Sequence, residues 1–311
     1  MTGGAANSGL RINGVAIVDT FAEAFPIKAA RLIITATTQH WARTAATVLC
    51  GNATSVIACD VEAAIERDVP AAQTPDGRPG VAVLAFAFTT DGLAKSLQAR
   101  VGQCVLTCPT TACFNGLADC SPDKRFSLGG VLRYFGDGFQ KSKALGGRRY
   151  WRIPVMDGEF ICEDEFGSTT GVAGGNLLIG GTSETAALAA AEAAVKAIRV
   201  ESGDVATDVA LPFPGGVVRS GSKVGSRYPK LKASTNDAYC PTLRTATTTE
   251  LPEACRAVYE IVLDGLSFEA VQAGMRRGLL AAAAMPDVVM ITAGNYGGKL
   301  GKHHFYLRDI L

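Results

Sequence analysis

The residue best placed for chemistry is Glu260, in the run Ala257-Val258-Tyr259-Glu260-Ile261-Val262-Leu263. On a strand, Val258, Glu260 and Val262 share one face, and Tyr259 and Ile261 take the other. A carboxylate between two valines on a buried strand is costly when ionised. Burial raises its pKa and keeps its proton near neutral pH, which suits a general acid or proton shuttle. A solvent-facing edge position would tolerate the same Glu, so the residue alone leaves both readings open. Glycine is the second signal. Gly171 to Gly181 reads GVAGGNLLIGG, Gly215 to Gly225 reads GGVVRSGSKVG, and Gly294 to Gly301 reads GNYGGKLG. Bare backbone admits φ > 0 and close approach of a ligand, though tight turns and close packing would use the same residues. None of the three is a dinucleotide fingerprint or a phosphate loop. Lys223 and Lys299 lie in two of these clusters and could meet an anionic substrate group, or stand in solvent.

Other chemistries are poorly served. His303 and His304 are adjacent on a predicted strand and point opposite ways, and His40 stands apart, so no metal site is expected. Cys104, Cys108, Cys113 and Cys120 are separated by three, four and six residues, without a C-x-x-C pair. The nine cysteines read as free thiols of a reducing cytoplasm. No G-x-S-x-G elbow is present. Lys plus Arg is 30 against 29 Asp plus Glu, which gives no basic face for nucleic acid. The longest uncharged apolar run, Val81 to Phe88, is too short to span a bilayer. Hydrophobic residues make up 48% of the 311, enough to bury a large core, and length alone suggests about two domains.

The elements that must carry these residues repeat. Ala30 to Thr37 reads as a strand and Trp41 to Leu49 as a helix. Thr54 to Cys59 and Val81 to Phe88 read as strands, Asp91 to Arg100 as a helix, and Cys104 to Thr107 as a closing strand. In the second half Asn176 to Gly180 is a strand, and Ser183 caps a helix to Ile198. Gly216 to Ser220 and Ala257 to Leu263 are strands. Ser267 caps a helix bearing Phe268, Val271, Met275 and Leu279, and Val288 to Thr292 closes the unit. Asp91-Gly92-Leu93 and Asp264-Gly265-Leu266 occupy the same place in both halves. The predicted fold is α+β: a duplication of two ferredoxin-like β-α-β-β-α-β units, antiparallel sheets with helices on one face. The expected lobes are residues 1–160, including a connecting insertion, and 161–311.

Longer stretches carry a family resemblance. They are Asp19-Thr20-Phe21-Ala22-Glu23-Ala24-Phe25-Pro26, Thr74-Pro75-Asp76-Gly77-Arg78-Pro79-Gly80 and Gly102-Gln103-Cys104-Val105-Leu106-Thr107. Ala173-Gly174-Gly175-Asn176, Pro212-Phe213-Pro214-Gly215-Gly216, Ser220-Gly221-Ser222-Lys223 and Ala257 to Val262 follow. Ala293-Gly294-Asn295-Tyr296-Gly297-Gly298-Lys299-Leu300-Gly301-Lys302 completes the set. In this order, from about Ile12 to Leu311, the chain resembles formylmethanofuran–tetrahydromethanopterin formyltransferases.

The resemblance implies formyl transfer between the amine of methanofuran and a ring nitrogen of tetrahydromethanopterin. Both carriers would be substrates, with no bound cofactor and no metal. It implies Glu260 as the buried catalytic carboxyl group. Gly174, Gly175, Asn176, Ser220, Gly221, Ser222, Lys223, Gly294, Asn295, Tyr296, Gly297, Gly298 and Lys299 would line the substrate cleft, and glycine-turn N–H groups would serve as oxyanion donors. It further implies a cytoplasmic homodimer or homotetramer, or a place in a formyltransferase/hydrolase complex. Cys50, Cys108, Cys120 and the low acidic content depart from the archaeal pattern and favour a bacterial version. Two rivals stand beside this reading: a carrier-binding subunit without activity, and a ferredoxin-like small-molecule sensor.

Overall fold

The computed structural model describes residues 10–117, 119–199 and 207–311. The first half runs β1 (Phe21–Thr35), α1 (Gln39–Leu49), β2 (Glu62–Val69), β3 (Gly80–Ala87), α2 (Thr90–Arg100) and β4 (Ala112–Asn115). A one-turn α3 (Gly129–Leu132) and the meander β5 (Lys141–Leu145), β6 (Arg148–Val155) and β7 (Gly158–Glu163) follow. The second half runs β8 (Thr169–Gly181), α4 (Glu184–Arg199), β9 (Val209–Ala210), β10 (Ser222–Val224) and β11 (Ala233–Thr235). It closes with β12 (Ala257–Gly265), α5 (Phe268–Ala283), β13 (Val288–Thr292) and β14 (His303–Tyr306).

In the first half the strands lie in the order β4-β1-β3-β2, each antiparallel to its neighbour. The second half repeats the order as β13-β8-β12-β9. The 15-residue β1 is longer than its own half requires, and Phe25 to Ala29 pair with Ala173 to Thr169 of β8. The halves therefore share one continuous sheet. That sheet is mixed, not antiparallel throughout as expected, because β7 runs parallel to β4 and Val15–Ile17 parallel to β13.

Alternation along the strands sends one face to the helices and the other to the site. Ala30, Leu32 and Ile34 of β1 pack in the core that holds Leu49 of α1 and Leu93 and Leu97 of α2. Leu177 and Ile179 of β8 and Ile261 and Leu263 of β12 pack with Ala191 and Val195 of α4 and Met275 and Leu279 of α5. Burying each such Leu or Ile stabilises the fold by about 1.5–3 kcal/mol. The helices start where their caps dictate. Thr38, Thr89, Ser183 and Ser267 accept from the N–H groups of Trp41, Gly92, Ala186 and Ala270.

Three predicted strands fall elsewhere. Thr54 to Cys59 is a turn, in which Ala58 and Cys59 donate to the Ser55 carbonyl and the Val56 N–H donates to the Glu62 carboxylate at 3.0 Å. The strand is β2, whose charged residues disguise it. Cys104 to Thr107 continues α2 as a π-turn, with Leu106 N–H donating to Val101, and the closing strand is β4. Gly216 to Ser220 contributes only a bridge between Val218 and Glu260, and β9 takes its place in the sheet. An ion cluster centred on the buried Glu66 ties β9's entry to the first half. Arg31 grips Glu66 through two 2.8 Å bonds and also contacts Asp208.

Candidate active site

The cleft follows from the strand faces opposite the helices. Glu23, Phe25 and Ile27 of β1 point into it, as do Ala173 and Asn176 of β8 and Glu260, Val262 and Asp264 of β12. Register sets their order. Phe25, Ala173 and Asp264 form one row across three strands, Asn176 and Val262 the next, and Leu178 and Glu260 a third. Ser55, Val56, Ile57 and Phe88 close it from the first half. Phe213, Val218, Tyr296 and Leu300 close it from the second. Its volume is about 350 Å³, within the usual range for a small-molecule site.

Glu260 is half-buried, with its backbone paired to Val218 on both sides at 2.7 and 2.9 Å. Burial pushes its carboxyl pKa up to about 7. No cation faces it among the described residues, so desolvation alone sets the shift. At neutral pH this group is divided between its acid and its carboxylate, the condition that favours proton transfer.

A second carboxylate, Glu23, shapes the wall beside it. Its side chain is buried and accepts four backbone N–H bonds from the glycine loop. Oε2 takes Tyr296 at 2.6 Å and Gly298 at 2.8 Å, and Oε1 takes Leu300 at 2.7 Å and Gly301 at 2.6 Å. Burial raises this group's pKa, but the four donors outweigh it and hold the pKa below the ordinary Glu value. Asn295 fixes the same loop by donating to Thr20 and to the Phe21 carbonyl, and its side-chain oxygen accepts from Gly297. Asn176 accepts from Gly294 N–H at 2.6 Å and returns a bond to the Gly294 carbonyl at 3.1 Å. The loop's N–H groups, expected as oxyanion donors, are therefore largely spent on internal bonds. A donor for a developing oxyanion must come from elsewhere in the cleft, and the protonated Glu260 carboxyl is one.

The structure sorts the remaining sequence-predicted residues. Gly174, Asn176, Tyr296 and Glu260 line the cleft. Gly174 takes φ +101° at a β-bulge, with its N–H bound to the Asp264 carboxyl at 3.0 Å. Gly175 turns to the other face, where a Cβ would lie 2.4 Å from Val271 of α5, so its role is packing. Ser220 and Gly221 line a small recess behind Glu260. Ser222 lies in the backbone of β10. Lys223 is ion-paired with Asp237. Gly294, Gly297 and Gly298 build the loop without lining the cleft, and Lys299 is exposed. Glu23, Glu62 and Asp264 were missed as site residues. Glu23 stands in one of the stretches that carry the resemblance but reads as an ordinary strand carboxylate, because its four partners are 273 to 278 residues away.

The model of the formylmethanofuran–tetrahydromethanopterin formyltransferase family matches residues 10–155, and the model of that family's proximal lobe matches residues 158–310. The chain belongs to this family. The formylmethanofuran–tetrahydromethanopterin formyltransferase of Methylococcus capsulatus is 55% identical over 96% of this chain and 99% of its own length. The formyltransferase of Methanosarcina barkeri has a solved structure with TM-score 0.90 at 48% identity, covering 97% of this chain and all of that one. The formyltransferase/hydrolase complex of Methylorubrum extorquens, solved with methylofuran, contains a chain with TM-score 0.92 at 50% identity, covering 98% and 99%. As a member of this family the protein is a formyltransferase.

Proposed function

We propose that this formyltransferase moves a formyl group between the amine of methanofuran, or a close analogue, and a ring nitrogen of tetrahydromethanopterin within the cleft faced by Glu260. The observation that carries the site is a carboxyl group with a pKa of about 7 on the wall of the inter-half cleft. In the direction toward the pterin, the ring nitrogen attacks the formyl carbon of the formamide. The C=O opens to a tetrahedral oxyanion, the C–N bond to the furan carrier breaks, and a proton passes from the incoming to the departing nitrogen. Glu260 in its acid form hydrogen-bonds the oxyanion and supplies that proton to the leaving amine; as carboxylate it takes one from the pterin nitrogen. Gly174, Asn176 and Tyr296 border the reacting groups, and the Glu23-held loop keeps Tyr296 in place. Of the other candidates, Ser220 and Gly221 support the wall behind Glu260.

The two halves are read as a duplication of ferredoxin-like units, with the lobe boundary near residue 160. The repeated strand order and the break between matched segments at 155–158 support this. A place in a formyltransferase/hydrolase assembly is supported by the likeness to one component of that complex in Methylorubrum extorquens, 51% identical over 98% of this chain. A homo-oligomer completes the reading, and a place in the cytoplasm is supported by free thiols at Cys113, Cys162 and Cys255. No described helix is long and apolar enough to cross a membrane.

The test is to mix the purified chain with formylmethanofuran and tetrahydromethanopterin and follow the pterin absorbance. Transfer by the chain alone is expected. Binding of both carriers without transfer would replace this reading with that of a carrier-binding protein.

A further inference from the structure

The recess behind Glu260 is a feature the transfer chemistry leaves unused. Glu260 and Val218 line both the recess and the cleft, so they stand between the two. The recess has a volume of about 30 Å³, and Ser220, Asn236, Tyr239 and Cys240 add polar groups to its walls. A water takes about 10–15 Å³ of such space and needs two to four polar partners, so the recess admits one or two waters. Tyr239 leads outward from it. This residue lies between β11 and β12 and packs with Cys255 and Met290. Met290, Gly180 and Val258 form the sheet row next to that of Glu260. Such rows are about 7 Å apart, and a water bridging two groups spans about 6 Å. The Tyr239 hydroxyl donates to Glu250 Oε2 at 2.6 Å, and Glu250 is exposed. The pair is held in place. Glu250 N–H donates to the Ala238 carbonyl at 3.0 Å, and Arg244 grips the carbonyls of Leu251 and Pro252 at 3.0 and 2.9 Å.

The reaction calls for a proton route. At neutral pH a free primary amine is an ammonium, with an ordinary pKa of about 10, while a formamide and the pterin ring nitrogen are neutral. Transfer toward the pterin therefore takes up one solvent proton beyond the one passed between the nitrogens. The two seated carriers cover the cleft side of Glu260. From this arrangement we infer that Glu250, Tyr239 and a water in the recess form a proton relay that joins Glu260 to solvent from behind while the carriers fill the cleft. The inference rests on the formyl-transfer reading and adds a proton path to it. A solvent proton lands on the Glu250 carboxylate, which then donates to the Tyr239 oxygen and frees the Tyr239 O–H to turn to the water. Glu250 gives its proton to that oxygen as the Tyr239 proton moves to the water, and the water gives one to the Glu260 carboxylate. Tyr239 and the water end as they began, and no group is oxidised or reduced. Tyr239 and Glu250 touch neither carrier; they are positioning residues that act through Glu260.

The test mixes the full chain with formylmethanofuran and tetrahydromethanopterin in weakly buffered solution at about pH 7. Stopped flow follows pterin absorbance for transfer and a pH indicator for proton uptake. The wild type is expected to show both signals with one rate constant. In Tyr239→Phe, which keeps the packed ring, and in Glu250→Gln, uptake should lag transfer by about fivefold or more. Glu250→Gln, at the surface, keeps the test valid if Tyr239→Phe fails to fold. Added imidazole, a small proton donor, should close the lag in Glu250→Gln and leave it in Tyr239→Phe, a split that a merely structural role would not produce. Four results each overturn the relay while leaving transfer intact: signals that coincide in a folded variant, a lag that imidazole leaves in Glu250→Gln, a lag that it removes in Tyr239→Phe, or a wild type that already lags. If no formyl group moves at all, the transfer reading fails and the relay falls with it.

Discussion

Replacing Glu260 by Gln should make the protein's stability less sensitive to pH, and by a calculable amount. Burial raises the folded-state pKa from an ordinary 4.5 to about 7. Below pH 4.5 the group is protonated whether the chain is folded or not, and it contributes nothing to pH dependence. Between 4.5 and about 7 the unfolded chain ionises while the folded one must keep its proton, so folding loses free energy as pH rises. Above about 7 the loss is complete and constant, at about 3 kcal/mol. A Gln at this position cannot titrate and carries no such loss. With an unfolding entropy of about 2.1 cal/mol/K per residue, 3 kcal/mol is about 5 °C in Tm for a chain of this length. Thermal unfolding of both proteins at pH 4.5, 6 and 8.5 measures it. The variant should gain about 5 °C on the wild type between the first and the last pH. Burying an amide shifts all three points together, so the pH trend and not the offset carries the result. A Tm difference that stays constant with pH would refute the claim that burial holds this proton.

Glu23→Gln places an amide NH2 against two of the four loop N–H groups and should destabilise the protein by about 2–5 kcal/mol, seen as a lower urea midpoint. Because the wild-type Glu23 pKa is lowered, that contribution is present above about pH 4.5 and should disappear as pH falls through the folded value, a trend the Gln variant lacks. Gly175→Ala should lower stability by about 1–3 kcal/mol through the Val271 clash while leaving KM for both carriers within about twofold, which thermal unfolding and steady-state kinetics together check. Arg31→Ala should cost about 3–5 kcal/mol by leaving Glu66 buried and unpaired, read as a drop in Tm.

The fold was legible where periodicity and caps agreed. The strand predicted from Val81 to Phe88 lies at Gly80–Ala87, and Val288 to Thr292 and the helices around Trp41 to Leu49 and after Ser183 and Ser267 stand where the pattern placed them. It was illegible where local contacts override residue type. Val56 and Ile57 are β-branched, yet the Glu62 carboxylate folds them into a turn. β2 is hidden because Glu62, Glu66, Arg67 and Asp68 read as a solvated stretch, while Glu62 and Glu66 are in fact buried against partners far along the chain. The same limit governs the site. Glu260 could be singled out because its own strand neighbours imply burial. Glu23 and Asp264 could not, since nothing nearby in sequence announces the glycine loop that one holds or the Glu62 that the other meets. Glycine marked the right regions but the wrong role at Gly175, which makes room for α5, and in the 294–301 loop, whose N–H groups serve Glu23.

The central claim is that the proton held by Glu260 drives formyl transfer in the cleft, and the direct measurement is single-turnover transfer to tetrahydromethanopterin across pH for wild type and Glu260→Gln. The account predicts a wild-type rate that falls as pH rises through about 7, and a variant slower by about 100-fold or more whose profile has lost that limb. A variant that transfers formyl at near the wild-type rate, or that keeps the same limb, would contradict it.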